Sequence, residues 1–165
     1  MIPEPVVVVP EKIFEAALLE VALGLIKESG CDFLFVPKFG LDLAFFVHRN
    51  GRSYARFLEV KVYAAGRPGG VGFGTPKGEG PQVELLRCES EKADMLETFV
   101  RWVVADATLP PGGSRYAIFD CRLARAAAMG DVRKGKQNNF RMSTLRSHFV
   151  TWPALIENLK QFLLG

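Results

Sequence analysis

The chain has 165 residues, about half of them hydrophobic, and a formal net charge of +3. That length suits a single domain with a sizeable core, spanning residues 1–165, and no apolar run reaches the roughly 18 residues that a membrane-spanning helix needs. With neither the basic start nor the processing site of a signal peptide in MIPEPVVVVPEK, the expectation is a cytoplasmic protein without a membrane partner.

In chain order, Pro10 closes the first segment and admits a helix from Glu11, with Ile13, Phe14, Ala17, Leu18, Val21 and Leu25 as its apolar stripe. Gly30 ends it. Glu20 stands out on that helix, because Ala16, Ala17, Leu23 and Gly24 surround it at helical spacing. Runs at 33–37, 41–47 and 54–63 read as consecutive antiparallel strands, with Arg49-Asn50-Gly51-Arg52 as the turn between the last two.

Residues 64–80 are glycine-rich and without periodicity, a loop that carries Arg67 and Lys77 and suits a substrate flap. It lacks the GxxxxGK[ST] pattern of a phosphate-cradling P-loop. From Pro81 the pattern Val83, Leu85, Leu86 and later Met95, Leu96, Phe99, Val100 and Val103 predicts helix, with a break between Cys88 and Glu91. Beyond the turn at 110–113, a buried strand is expected over 116–121, a short helix over 123–129, a short strand over 147–151 and a terminal helix over 153–164. On that helix Leu155, Ile156, Leu159, Phe162 and Leu163 can serve either the core or a dimer surface. The succession is that of an α/β protein with mixed sheet direction.

Two of the strand-like runs, GLDLAFFV and RFLEVKVY, contain charges that are costly to bury unless paired or bound to a metal. The period of two sends Glu59 and Lys61 to one face and Leu58, Val60 and Val62 to the other. If the two strands form a hairpin, Asp42 and Glu59 converge, and paired carboxylates suit a hard cation such as Mg²⁺ or Mn²⁺. A partly buried ion pair with Lys61 is the structural alternative. His48 and His148 lack clustered partners, and no nucleophile elbow is present.

Charge is unevenly spread. From Arg122 to His148 seven Lys or Arg face one acid, Asp131, whereas 84–97 holds five acids against Arg87 and Lys92. The basic stretch 122–148 is a candidate DNA-contacting segment: Arg133, Lys134, Lys136, Arg141 and Arg146 for phosphates, and Asn138 and Asn139 for base edges.

The order Glu20, Asp42, Glu59-Val60-Lys61, Gln82 resembles the PD-(D/E)XK nuclease superfamily, across roughly residues 11–121. The resemblance implies a restriction-endonuclease-like core, a mixed central sheet flanked by helices, and metal-dependent hydrolysis of DNA phosphodiester bonds. It puts Asp42, Glu59, the Val60 carbonyl and Glu20 on or near the metal, Lys61 beside the attacking water and Gln82 as an orienting group. Leu41 stands where the family has proline, and no tyrosine completes the pattern after Gln82, so no branch is assigned. Restriction-type and junction-resolvase-like endonucleases both fit, the latter working as homodimers. A catalytically inactive nucleic-acid-binding or assembly module of the same fold is the rival from another class.

Overall fold

A computed structural model describes residues 2–37, 39–66, 69–87 and 96–165. The elements run α1 (Lys12–Glu28), β1 (Asp32–Phe35), β2 (Leu43–Arg49), β3 (Arg52–Tyr63), β4 (Gly70–Phe73), α2 (Pro81–Arg87), β5 (Val100–Asp106), β6 (Tyr116–Phe119), α3 (Cys121–Ala127), β7 (Asn138–Arg141), α4 (Met142–Arg146) and α5 (Trp152–Leu164). Among the described residues no helix is long and apolar enough to cross a membrane.

The protein is α/β. Its central sheet has the strand order β1-β2-β3-β5-β6, in which β3 and β5 are parallel and every other pair is antiparallel. Period-two alternation along β3 divides the core. Leu58, Val60 and Val62 join Phe14, Leu18, Tyr116 and Leu159 on the face covered by α1 and α5. Tyr63 joins Phe73, Trp102, Phe140 and Leu145 on the opposite face, covered by α2, α3, α4 and the small β4–β7 sheet.

The hairpin between β2 and β3 closes on the pair Arg49 and Arg52, and Asn50 (φ 53°) and Gly51 (φ 74°) both adopt positive φ. Two successive left-handed residues are what a type I′ turn requires, and Asn-Gly meets that requirement with little strain. The turn thereby fixes the register of every pair down to Leu43 with Leu58. The C-terminal end of α5 is tied to this hairpin. Arg49 donates to the Leu164 carbonyl, the Tyr54 hydroxyl to Leu163 at 3.2 Å, and Arg56 Nε to Phe162 at 2.8 Å. Cations and donors at a helix C-terminus satisfy its unpaired carbonyls and complement its dipole.

Three expectations from the sequence are corrected. Residues 100–106 are strand β5, not the continuation of a helix; Val100, Trp102, Val103 and Val104 are buried on both faces of the sheet, where helical periodicity has no meaning. Within the glycine-rich 64–80 stretch, Gly70–Phe73 forms β4, held by pairing with β7 in spite of its poor strand propensity. The chain before His148 is helix α4, and 147–151 contributes a single bridge, Val150 with Tyr116. Of the two roles open to the apolar residues of α5, Leu155, Leu159, Phe162 and Leu163 take the core. The expected helix break at 88–91 lies outside the described residues.

Candidate functional site

Strand β3 outruns its partner. β2 begins at Leu43, opposite Leu58, whereas β3 continues to Tyr63 with β5 along its other edge. The edge of β3 formerly paired with β2 is therefore open from Glu59 onward, and its backbone N–H groups need acceptors. Two carboxylates supply them. Asp42 Oδ2 accepts from Val60 N at 2.8 Å, and Glu11 Oε2 accepts from Val62 N at 3.3 Å. An extended residue directs its N–H and C=O to the same side, so the Val60 carbonyl also looks into this notch.

Continuing the register by one residue sets Asp42 opposite Glu59. Glu59 is fully buried, and its two oxygens have different surroundings. Oε1 accepts from Gln82 Nε2 at 2.5 Å and lies 3.8 Å from Lys61 Nζ. Oε2 is buried with no hydrogen-bond donor among the described residues. Burial, then the hydrogen bond and charge of the neighbouring Asp42 carboxylate, push Glu59 up to about 10. Burial and the adjacent Asp42 carboxylate thus disfavour the charged form of Glu59, and the Lys61 ammonium opposes that shift only in part.

Gln82 extends the network. Its Oε1 accepts from Gly74 N at 2.7 Å, so one amide spans the Glu59 carboxylate and the loop that follows β4. Lys61 is 9% exposed and its Nζ also lies 3.8 Å from Glu11 Oε1. The structure thus brings Asp42, Glu59, Val60, Lys61 and Gln82 together.

Glu20 is not among them. It is exposed on α1, and the helix acids at the notch are Glu11 and Glu15. Spacing explains the difference: Glu11 and Glu15 are four residues apart and share a helix face, whereas five residues from Glu15 to Glu20 turn the side chain away by about 140°. Glu15 is half-buried and pushed up to about 6 by burial, then by the charges of Asp42 and Glu11. The sequence signal was no more than an acid in the first turn of the helix, Glu15.

The residues that could hold a hard divalent cation are Asp42 and Glu59. Asp42 and Glu59 are held together by the sheet, the orphaned Glu59 Oε2 calls for a positive partner, and Mg²⁺ is commonly bound by one or two carboxylates with water completing its shell. Among the described residues no group of three or more His, Cys, Asp or Glu converges as a metal cluster.

The basic residues gather on one side of this notch. The β4–β7 pairing brings the loop after β4 against the loop before β7, where Gly135 N donates to the Lys77 carbonyl at 2.8 Å. Gly78 (φ 69°) lies so close to the Arg133 and Lys136 carbonyls that an added Cβ would sit 2.6 Å from each. Lys77, Arg133 and Lys134 are exposed there, as is Arg141 on β7, and Lys136 is half-buried. Lys134 Nζ lies 3.7 Å from Glu84. Arg67 lies outside the described residues.

Asn138 does not fit a base-reading role. Only 4% exposed, it accepts from Arg133 N at 3.3 Å and donates to the carbonyls of Arg133 at 3.1 Å and Lys136 at 3.4 Å. Its amide is spent on shaping the basic loop. Asn139, half-buried opposite Gly72, is the remaining asparagine of the pair.

Comparison of the chain with protein-family models, with curated proteins and with solved structures found no match.

Proposed function

We propose that this protein is a divalent-metal-dependent DNA endonuclease with a PD-(D/E)XK-like core. The observation that carries the reading is the opposed Asp42 and Glu59 pair, with its orphaned buried oxygen, beside Lys61. Its setting supports the same conclusion: an acidic first helical turn, an antiparallel hairpin bearing the acids, a glutamine-bearing helix and a strand parallel to the second arm of the hairpin.

Asp42, Glu59 and the Val60 carbonyl would hold Mg²⁺ or Mn²⁺. When bound, such an ion polarises a phosphoryl oxygen and lowers the pKa of attached water. Lys61 supplies a compact charge to stabilise the negative charge developing on the phosphate. Gln82 fixes the orientation of Glu59 through Oε1, and Oε2 has no hydrogen-bond partner among the described residues. Glu15, pushed up to about 6, is the carboxylate able to exchange a proton near neutral pH. The exposed cations on the two joined loops contact backbone phosphates.

The test is incubation of the protein with supercoiled, linear and branched DNA in Mg²⁺, Mn²⁺ or EDTA. Nicked or cut products with either metal and none with EDTA are expected, and Lys61→Ala should remove most cleavage while DNA binding persists. The second reading, an inactive DNA-binding or assembly module, is favoured by the lack of a third metal-ligating side chain among the described residues. Intact DNA of every form under both metals would establish it in place of the nuclease.

A further inference from the structure

Asp106, at the end of β5, is completely buried. Its Oδ1 accepts from Thr108 N at 2.9 Å and from Thr108 Oγ1 at 2.5 Å, which is enough to close the turn that follows the strand. Its Oδ2 is buried and has no hydrogen-bond donor among the described residues. The charge facing that oxygen is the Arg146 guanidinium of α4, whose Nε lies 3.8 Å away. At that separation the pair is an ion pair without a hydrogen bond, so the five N–H donors of the guanidinium are not spent on Asp106.

A second contact is aromatic. The Arg146 guanidinium sits over the Tyr63 ring, 5.6 Å from its centroid. Tyr63 is directly across from Asp106 in the β3–β5 register, so the ring below and the carboxylate behind come from neighbouring strands. Arg146 itself is 48% exposed at the side chain. The guanidinium of a partly exposed side chain thus lies between an aromatic ring and a buried carboxylate.

That place is beside the notch. Tyr63 follows Lys61 by two residues, on the same face of β3 and about 7 Å further along the strand. Arg146 is carried to that face by α4, whose Met142 and Leu145 pack in the same cluster as Tyr63. The carboxyl ends of parallel strands, where β3 and β5 leave Lys61, Tyr63 and Asp106, are also where α/β sheets receive ligands. A planar fork with unspent donors is suited to phosphate, which it can grip at two oxygens.

We propose that Arg146, positioned by Asp106 and Tyr63, grips the DNA phosphate adjacent to the one that is cleaved. This inference rests on the nuclease reading, with Lys61 serving the cleaved phosphate. It separates Arg146 from the loop cations, which have no buried carboxylate behind them among the described residues and contribute charge without a fixed position. Asp106 and Tyr63 are positioning residues.

The experiment is single-turnover cleavage, with Mg²⁺ or Mn²⁺, of a duplex that the wild-type protein cuts, carrying one neutral methylphosphonate at each position in turn. Wild-type protein should lose about ten- to a hundredfold in rate when the phosphate beside the cut is neutral, the range for one charge-assisted contact. Arg146→Ala should be slower by a similar factor on unmodified DNA and lose nothing further at that one position, and Arg146→Lys should recover only part of the rate. Far-UV circular dichroism and melting temperature identify a folding defect; should Arg146→Ala have one, the Arg146→Lys comparison carries the test. Wild-type rates in Arg146→Ala, or a full additional loss from the adjacent methylphosphonate in the variant, overturn the clamp and leave the nuclease reading in place. A wild-type protein that cuts no DNA overturns the nuclease reading and the clamp with it.

Discussion

Asp42 and Glu59 face each other one residue beyond the last rung of the β2–β3 ladder, Leu43 with Leu58. Inside the ladder their separation would be set by strand pairing and their charges would repel in a closed core. Past its end, Asp42 is free to cap Val60 N, and the two carboxylates meet at an open edge of β3.

Metal binding should release a proton. Glu59 lies up at about 10 against an ordinary value of 4.5, so near neutral pH the metal-free site retains a proton that a bound cation displaces. Mn²⁺ affinity should rise by about tenfold per pH unit between pH 6 and 8. Calorimetry in buffers of different ionisation enthalpy measures the proton count; a count of zero at pH 7.5 would exclude a role for protonated Glu59.

The same shift makes metal-free stability fall with pH. Above pH 4.5 the unfolded chain loses the Glu59 proton while the folded protein keeps it, so the folded state is progressively disfavoured as pH rises toward about 10. Glu15, up at about 6, adds to the loss between pH 4.5 and 6. Melting temperature in EDTA should drop from pH 5 to pH 8, and Asp42→Asn should reduce the drop and stabilise the metal-free protein by about 1 kcal/mol at pH 8. That variant should lose Mn²⁺ binding at the same time.

Removing Gln82 should damage both fold and activity. Gln82→Ala leaves the buried Glu59 Oε1 and Gly74 N without each other's bridge, at a cost of about 1–3 kcal/mol. Urea denaturation reads the stability loss, and single-turnover cleavage should fall by about tenfold or more as Glu59 loses its orientation. A variant as stable as wild type would show that the bridge carries no weight.

The helix acids should separate cleanly. Glu15→Gln should weaken Mn²⁺ binding and change the pH profile of cleavage around 6, whereas Glu20→Gln, exposed on another face, should leave affinity within about twofold. Reversal of that order would restore Glu20 to the site.

Single alanine variants of Lys77, Arg133 or Lys134 should reduce the log-log salt dependence of duplex DNA binding by about 0.9 each, without changing sequence preference. Asn138→Ala should instead lower stability, since its amide holds the 133–138 loop. Equilibrium binding at several salt concentrations, with a thermal melt of each variant, distinguishes the two effects.

Local chemistry made part of this protein legible. Asn50-Gly51 dictates a hairpin with left-handed turn residues, the period of two in Glu59-Val60-Lys61 places two charges on one face, and Pro10 marks the start of α1; none of these depends on distant residues. From them the union of Asp42, Glu59 and Lys61 follows, and Gln82 joins by virtue of its place on the next helix. What the tertiary structure decided is everything that hinges on partners remote in sequence. Gly70–Phe73 is a strand because Asn138–Arg141 pairs with it, and Val100–Asp106 is a strand because it lies between β3 and β6 with both faces covered. Glu11 and Glu15, and not Glu20, lie near Asp42 and Lys61 because the packing of Phe14, Leu18, Ala22 and Leu25 in the core determines which face of α1 is turned to the notch. Asn138 becomes a loop brace and Arg146 a fixed guanidinium for the same reason: their roles are set by Arg133, Lys136, Asp106 and Tyr63, and no local pattern encodes those encounters.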